Sequence, residues 1–139
     1  MLMAEFKTAM ITDAGKKLLA DTLAGKARMK FYCIGIGDGS YDGTEDLRVM
    51  TKLKSQKQKV FLSSVTKESN TCVKIKALIS NESLTEAYYM SEMGLYVMDE
   101  TVSEYNPVLY SVAVAEKADY FPEYNGKVPV TILQEYYAA

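Results

Sequence analysis

The clearest periodicity lies near the N-terminus, where Ala14, Leu18, Leu19 and Leu23 recur at helical spacing and Lys16, Lys17 and Asp21 fall elsewhere. Thr12 precedes the run as an N-cap, Asp13 suits the positive helix end, and Gly25 suits the position just past the C-cap. One amphipathic helix is expected from Asp13 to Ala24, with a narrow apolar stripe that packs against something flat. From Arg28 to Ile36 the pattern changes. Phe31, Tyr32, Cys33, Ile34 and Ile36 read as a strand covered on both faces. Residues 53–66 and 71–80 predict a β-hairpin around Lys67-Glu68-Ser69-Asn70. On its return arm Val73, Ile75, Ala77 and Ile79 alternate with Cys72, Lys74, Lys76 and Leu78, which gives one wet face. Further strands are expected at 86–98, 108–115 and 128–137, separated by Asp99-Glu100, Asn106-Pro107 and Tyr124-Asn125-Gly126. No helix crosses between strands. The predicted fold class is therefore α+β, an N-terminal amphipathic helix packed on a mainly antiparallel β-sheet with a long β-hairpin. No linker or repeat divides residues 1–139, so a single domain is expected.

The strand from Arg28 stops in Ile34-Gly35-Ile36-Gly37-Asp38-Gly39, which at first sight suggests a phosphate loop. A dinucleotide fingerprint needs a third glycine, but Ser40 or Asp42 stands at that position. A P-loop needs Gly-Lys-Ser/Thr, whereas Gly43 is followed by Thr44 and Glu45. Asp38, Asp42, Glu45 and Asp46 would also repel a phosphate, with no cation before Arg48. The aspartates are spaced four apart, unlike the alternate-position ligands of an EF-hand. What remains is a strand end, a glycine turn and a short helix, with Asp42 as N-cap and Glu45 as its capping-box partner.

Composition narrows the function further. The chain has no histidine, which removes the commonest general base and the usual triad, and two cysteines alone cannot build a four-ligand zinc site. No cofactor is expected, and enzyme activity is not expected. Cys33 and Cys72 sit in apolar, strand-like surroundings and are expected as reduced, buried thiols. No run of about 18 apolar residues and no signal-peptide core is present, so synthesis in a cytoplasm and no membrane partner are expected. Residues 1–76 carry a balance of +6 and residues 77–139 one of −8. Such asymmetry either complements itself within the fold or steers contact between copies or with a charged partner.

Two surfaces are candidate interfaces. Lys52, Lys54, Lys57 and Lys59 form a basic strand that, as an alternative function, would make the chain a nucleic-acid-binding module. They lack interleaved aromatics in the sequence, and a solvated strand face is the favoured reading. Nine of the eleven tyrosines follow residue 80, and among them Tyr105, Tyr120, Tyr124, Tyr136 and Tyr137 are the candidate contact residues, with Lys52 and Lys54.

Three features occur in an order that resembles a known family. Phe6-Lys7-Thr8-Ala9-Met10-Ile11-Thr12-Asp13-Ala14-Gly15 has the form F-x-T-x-x-I-T-x-x-G. Ile36-Gly37-Asp38-Gly39 is an apolar-G-D-G turn, and Ser91-Glu92-Met93-Gly94-Leu95-Tyr96 precedes the apolar strand at Val108–Ala115. Over nearly all its length the chain resembles the N-terminal domain of phage tail-collar fibre proteins, the tail-fibre family of P2-like contractile tails, R-type bacteriocins and prophages. It departs at Ser91, where the family usually has a basic residue, and at Asp99-Glu100-Thr101-Val102, where it often has a D-x-x-G turn. The resemblance implies a structural virion component that fixes a host-attachment fibre to the baseplate of a contractile injection system. It implies baseplate proteins and the rest of the fibre as partners, a trimer, and a place in the tail particle after synthesis in the bacterial host. It assigns structural roles to Thr12, Gly15, Gly37, Asp38, Gly39, Glu92, Gly94, Leu95 and Tyr96. A long fibre shaft follows in many relatives, so this chain is expected to be a short attachment protein or the base of a longer fibre. Gly94 is expected as a bulge or close-approach point, and Glu92 is expected to pair with Arg28, Arg48 or a backbone donor.

Overall fold

The computed structural model describes residues 5–70 and 72–138. Its strands are β1 (Glu5–Phe6), β2 (Met10–Ile11), β3 (Met29–Gly37), β4 (Gln56–Ser69), β5 (Cys72–Ser80), β6 (Tyr88–Asp99), β7 (Val108–Phe121) and β8 (Thr131–Ala138). The one α-helix, α1, spans Asp13–Leu23, and a 3₁₀ turn spans Leu47–Val49. The strands pair antiparallel in the order β1-β7-β6-β3-β4-β5-β8, with β2 also on β7.

This overturns the α+β expectation. Strands take 52% of the structure and helical turns 11%, and the sheet curls into a half-barrel. The physical reason is that the curl lets the sheet bury its own inner face. Ile34, Ile36, Ile75, Ile79, Met90, Leu95, Val97 and Phe121 fill the concavity from several different strands. From α1 only Leu18 is buried in the same cluster, with Leu19 against it, so no helical layer is needed to cover it.

The helix keeps its predicted caps. Thr12 accepts the Gly15 N–H at 2.9 Å. At the other end the Lys26 and Gly25 N–H groups return to the Asp21 and Thr22 carbonyls at 2.8 and 3.1 Å. That Schellman arrangement places Gly25 at φ +77°, where a side chain would be strained. Gly15 and Leu18 are buried, but Leu23 is 81% exposed and does not join the stripe assigned to it. Only the first half of α1 is pressed onto β7, where Gly15 abuts the Tyr110 backbone.

The hairpin forms as β4 and β5, starting at Gln56 rather than at residue 53. Its predicted return arm begins at Thr71, which lies outside the described residues. The middle of the sheet is covered on both faces, along Cys33–Gly37 of β3, Glu92–Leu95 of β6 and Leu109–Ala113 of β7. Outside the curl, Leu53, Leu109 and Val112 make a second, smaller cluster with Met50, Tyr96 and Val114, beneath the long connection between β3 and β4. Among the described residues no helix is long and apolar enough to cross a membrane.

Candidate functional site

The β3–β6 ladder sets Gly37 opposite Glu92, on the face that the β3–β4 connection covers. Glu92 is fully buried. Its Oε2 accepts the N–H groups of Gly39 at 2.9 Å and Ser55 at 2.8 Å. Its Oε1 accepts the Lys54 N–H at 3.0 Å and the Tyr41 hydroxyl at 2.5 Å. Two further bonds brace the same corner, from Ser91 Oγ to the Gly39 carbonyl at 2.6 Å and from the Asp38 N–H to the Ser55 carbonyl at 3.0 Å. A buried charge is costly unless hydrogen bonds meet it, and bonds to a carboxylate are about twice as strong as neutral ones. Here three backbone N–H groups and one hydroxyl meet the charge. Of the partners considered from sequence, the backbone donor is the one found. Arg28 instead lies 3.5 Å from Glu100, and Arg48 lies 3.0 Å from Asp46.

The glycines of the motif follow from this crowding. Gly37 and Gly39 do not adopt positive φ. A Cβ on Gly39 would lie 2.6 Å from Glu92 Oε2 and 2.7 Å from Lys54 Cβ, and one on Gly37 would collide with the Ser55 carbonyl. They are small so that two backbone segments can approach one carboxylate. Gly94, on the strand that carries Glu92, is small for a different reason: its Cβ would press on the packed side chains of Leu109 and Leu53, at 2.7 and 3.0 Å. Leu95 points into the core, while the Tyr96 hydroxyl accepts the Leu53 N–H at 3.4 Å. The N-terminal motif reaches this corner through β7. Buried Thr12 donates its hydroxyl to the Leu109 carbonyl at 2.5 Å, next to the side chain that covers Gly94. Three motifs far apart in sequence therefore brace one patch of β6 and β7.

The acidic loop holds itself. The Glu45 carboxylate accepts the Asp42 N–H at 3.2 Å while Asp42 accepts the Thr44 N–H at 2.9 Å, as a capping box would. No α-helix follows, however. The 3₁₀ turn begins later, with Asp46 as its cap. Hydrogen bonds from Thr44 hold Asp42 below the usual carboxylate range, Lys54 does so for Glu45, and Arg48 for Asp46.

The lysines of the basic strand mostly face partners within the chain. Lys54 Nζ lies 2.6 Å from Glu45, 2.7 Å from the Ser40 carbonyl and 4.2 Å from the Tyr41 ring centre. Lys57 lies 4.0 Å from Asp38, and Lys59 lies 5.5 and 5.7 Å from the rings of Tyr32 and Phe61. Lys52 is exposed. The aromatics missing from the basic stretch itself thus arrive from β3 (Tyr32), from the loop after it (Tyr41) and from two residues further along β4 (Phe61).

The candidate tyrosines separate into different environments. Tyr105 is 65% exposed and packs edge-on against Tyr32 at 5.9 Å, beside exposed Phe61. Exposed Tyr120 pairs with Tyr89 at 5.4 Å, and exposed Tyr137 donates to Glu135 at 2.9 Å. Tyr124 is half-buried and its N–H meets the Leu84 carbonyl at 3.2 Å. Tyr136 is buried, its hydroxyl 2.6 Å from Ser111 Oγ, and burial pushes its ionisation well above the ordinary range. Its ring belongs to the core.

Sequence reasoning missed Tyr41, Leu53, Ser55, Leu109 and Gln134. Tyr41, two residues after Gly39, had a signal in its position beside the motif. The others act through contacts with distant strands and left none. Chemically the corner holds rather than reacts. Glu92 is saturated with donors, and burial raises the Cys33 thiol to about 11, so it stays protonated near neutrality. Both cysteines are free thiols, Cys33 buried and Cys72 half-buried.

Searches of curated proteins and of solved structures gave no match. The family profile described as phage tail-collar fibre protein, N-terminal, matches residues 3–105, which takes in all three motifs and ends before β7 and β8. That family is a structural, non-enzymatic kind of protein found in phage tails, in association with other tail components. With about three quarters of its length matched, and with the motif residues gathered around Glu92 and Leu109, the chain belongs to the phage tail-collar fibre protein family.

Proposed function

We propose that this chain is the attachment domain that anchors a tail fibre to the baseplate of a contractile phage tail or of a phage-tail-like particle such as an R-type bacteriocin. Residues 1–139 act as one unit in this reading, and three copies assemble around the fibre base. The family match over residues 3–105 is the observation that carries it. The Glu92 corner supports it, because it spends the motif on rigidity, and an anchor must transmit load without shear. Exposed Phe61 and Tyr105, packed on half-buried Tyr32 beside Lys59, support a contact role for that face, aromatics being enriched where proteins meet.

Deleting the chain is expected to leave tails that assemble and contract but carry no fibres. Fibres on such tails, or purified particles free of the chain, would overturn the reading. Light scattering on the isolated chain is expected to give three times its 15.5 kDa mass. A monomer there would remove self-sufficient trimerisation.

A further inference from the structure

The curl leaves two edges of the sheet facing each other across a gap. On one side is β8, which among the described residues pairs along a single edge, with β5. On the other is the segment Phe6–Ala9 that joins β1 to β2. Between them lies a cleft of about 490 Å³, walled by Phe6, Ala9, Met93, Ala113, Gln134 and Tyr136. Gln134 is only 5% exposed. Its Nε2 donates to the Glu135 carbonyl at 3.1 Å, but its Oε1 meets no donor among the described residues. A buried acceptor without a donor is costly and rare in a native chain, and it calls for a group that supplies the missing hydrogen. The edge of β8 that no described strand pairs with makes the same demand, since its row of N–H and C=O groups is a template for another strand.

Size decides what the occupant can be. A strand rises about 3.3 Å per residue, lies about 4.8 Å from its neighbour and fills a layer about 10 Å thick, on the order of 160 Å³ per residue. The cleft therefore holds about three residues of one strand. A second copy would bring an edge strand with the rest of its sheet attached, and a cleft of about three residues walled on its far side by Phe6–Ala9 has no room for that sheet. The walls are mainly apolar, and Lys7 and Glu135 contribute one charge of each sign, so the cleft suits an uncharged segment.

We propose that this cleft receives an extended, uncharged segment of a neighbouring tail component, which adds to β8 as a further strand and gives an N–H to Gln134 Oε1. The proposal rests on the tail-attachment reading above. Its test is hydrogen exchange followed by mass spectrometry, on the chain in the assembled tail particle and on the chain alone. Peptides covering Leu133–Tyr137 are expected to exchange at least tenfold more slowly in the particle. If other surfaces gain protection there and these amides do not, attachment stands and the cleft proposal falls. If the chain is missing from the particle, the attachment reading falls first. If the same amides become protected in the isolated chain as its concentration rises, the occupant is a second copy and the proposal is overturned.

Gln134→Leu supplies an independent check. The variant is expected to melt at or above the wild-type temperature and to enter particles about tenfold less efficiently, whereas unchanged entry would overturn the proposal. Should the variant fail to fold, the exchange comparison on the wild-type chain decides.

Discussion

Glu92 lies on a central strand and Gln134 on an edge strand, and both side chains are withdrawn from solvent. Around Glu92 every acceptor site that the chain can fill is filled, by the N–H groups of Gly39, Lys54 and Ser55 and by the Tyr41 hydroxyl. Around Gln134 one end of the amide is met by the adjacent carbonyl and the other end by nothing among the described residues. A satisfied buried network ties loops to a sheet and specifies one arrangement. An unsatisfied buried group instead lowers the stability of the free chain, and it is kept where something else gains by it. One region holds the domain together, and the other is built to meet another molecule.

Removing the carboxylate should have the largest effect. Glu92→Ala strands three backbone donors under the β3–β4 connection and is expected to cost about 4 kcal/mol in urea unfolding. A loss below about 1 kcal/mol would mean that the corner is not a brace. Gly39→Ala comes next. Its new methyl group would press on Glu92 and Lys54, and overpacking of this kind costs about 2–3 kcal/mol. A wild-type melting temperature in that variant would show that the two backbones can move apart freely.

Tyr41→Phe removes one hydrogen bond to the carboxylate, worth about 1.5 kcal/mol at neutral pH. Its pH profile sharpens the point. Burial, followed by the hydrogen bond and charge of Glu92, raises the Tyr41 ionisation above the ordinary value near 10. The folded state therefore binds the phenolic proton more tightly than the unfolded state does. That contribution is fully present below about pH 10 and is lost as pH rises through the folded-state value. Denaturation curves recorded above pH 10 should fall less steeply for Tyr41→Phe than for the wild type, and parallel curves would remove the coupling. Gln134→Leu should change least, shifting stability by within about 1 kcal/mol and toward greater stability. A large loss would place Gln134 with Glu92 as a structural residue and erase the contrast between the two regions.

Much of the local structure was legible in the residues. Thr12 and Gly25 announced both ends of α1, because a cap acts on backbone groups within a turn of itself. Alternation in Val73–Ile79 marked the buried face of β5, because side chains of a strand alternate with a fixed period of two. The Asp42–Glu45 bonds formed as a capping box would, yet the helix they would start did not, since Gly43 at its first position lies at φ +91°, outside the right-handed helical region. Leu23 shows the same limit from the other side: its spacing is helical, but no surface comes to meet it.

The sequence by itself determined the helix caps, the six longer strands in outline though not the short β1 and β2, the three motifs and, through them, the family. Only the tertiary structure decided that the sheet curls closed enough to need no helical layer, which is why the class is nearly all β. It also decided that Glu92 answers to Gly39, Tyr41, Lys54 and Ser55, that Tyr136 is core while Tyr105 is surface, and that β8 keeps one edge open among the described residues. The physical reason is one of range. Caps, turns and alternation are written in residues a few positions apart, whereas the partner of a buried carboxylate and the gap beside an edge strand depend on how distant strands are brought together.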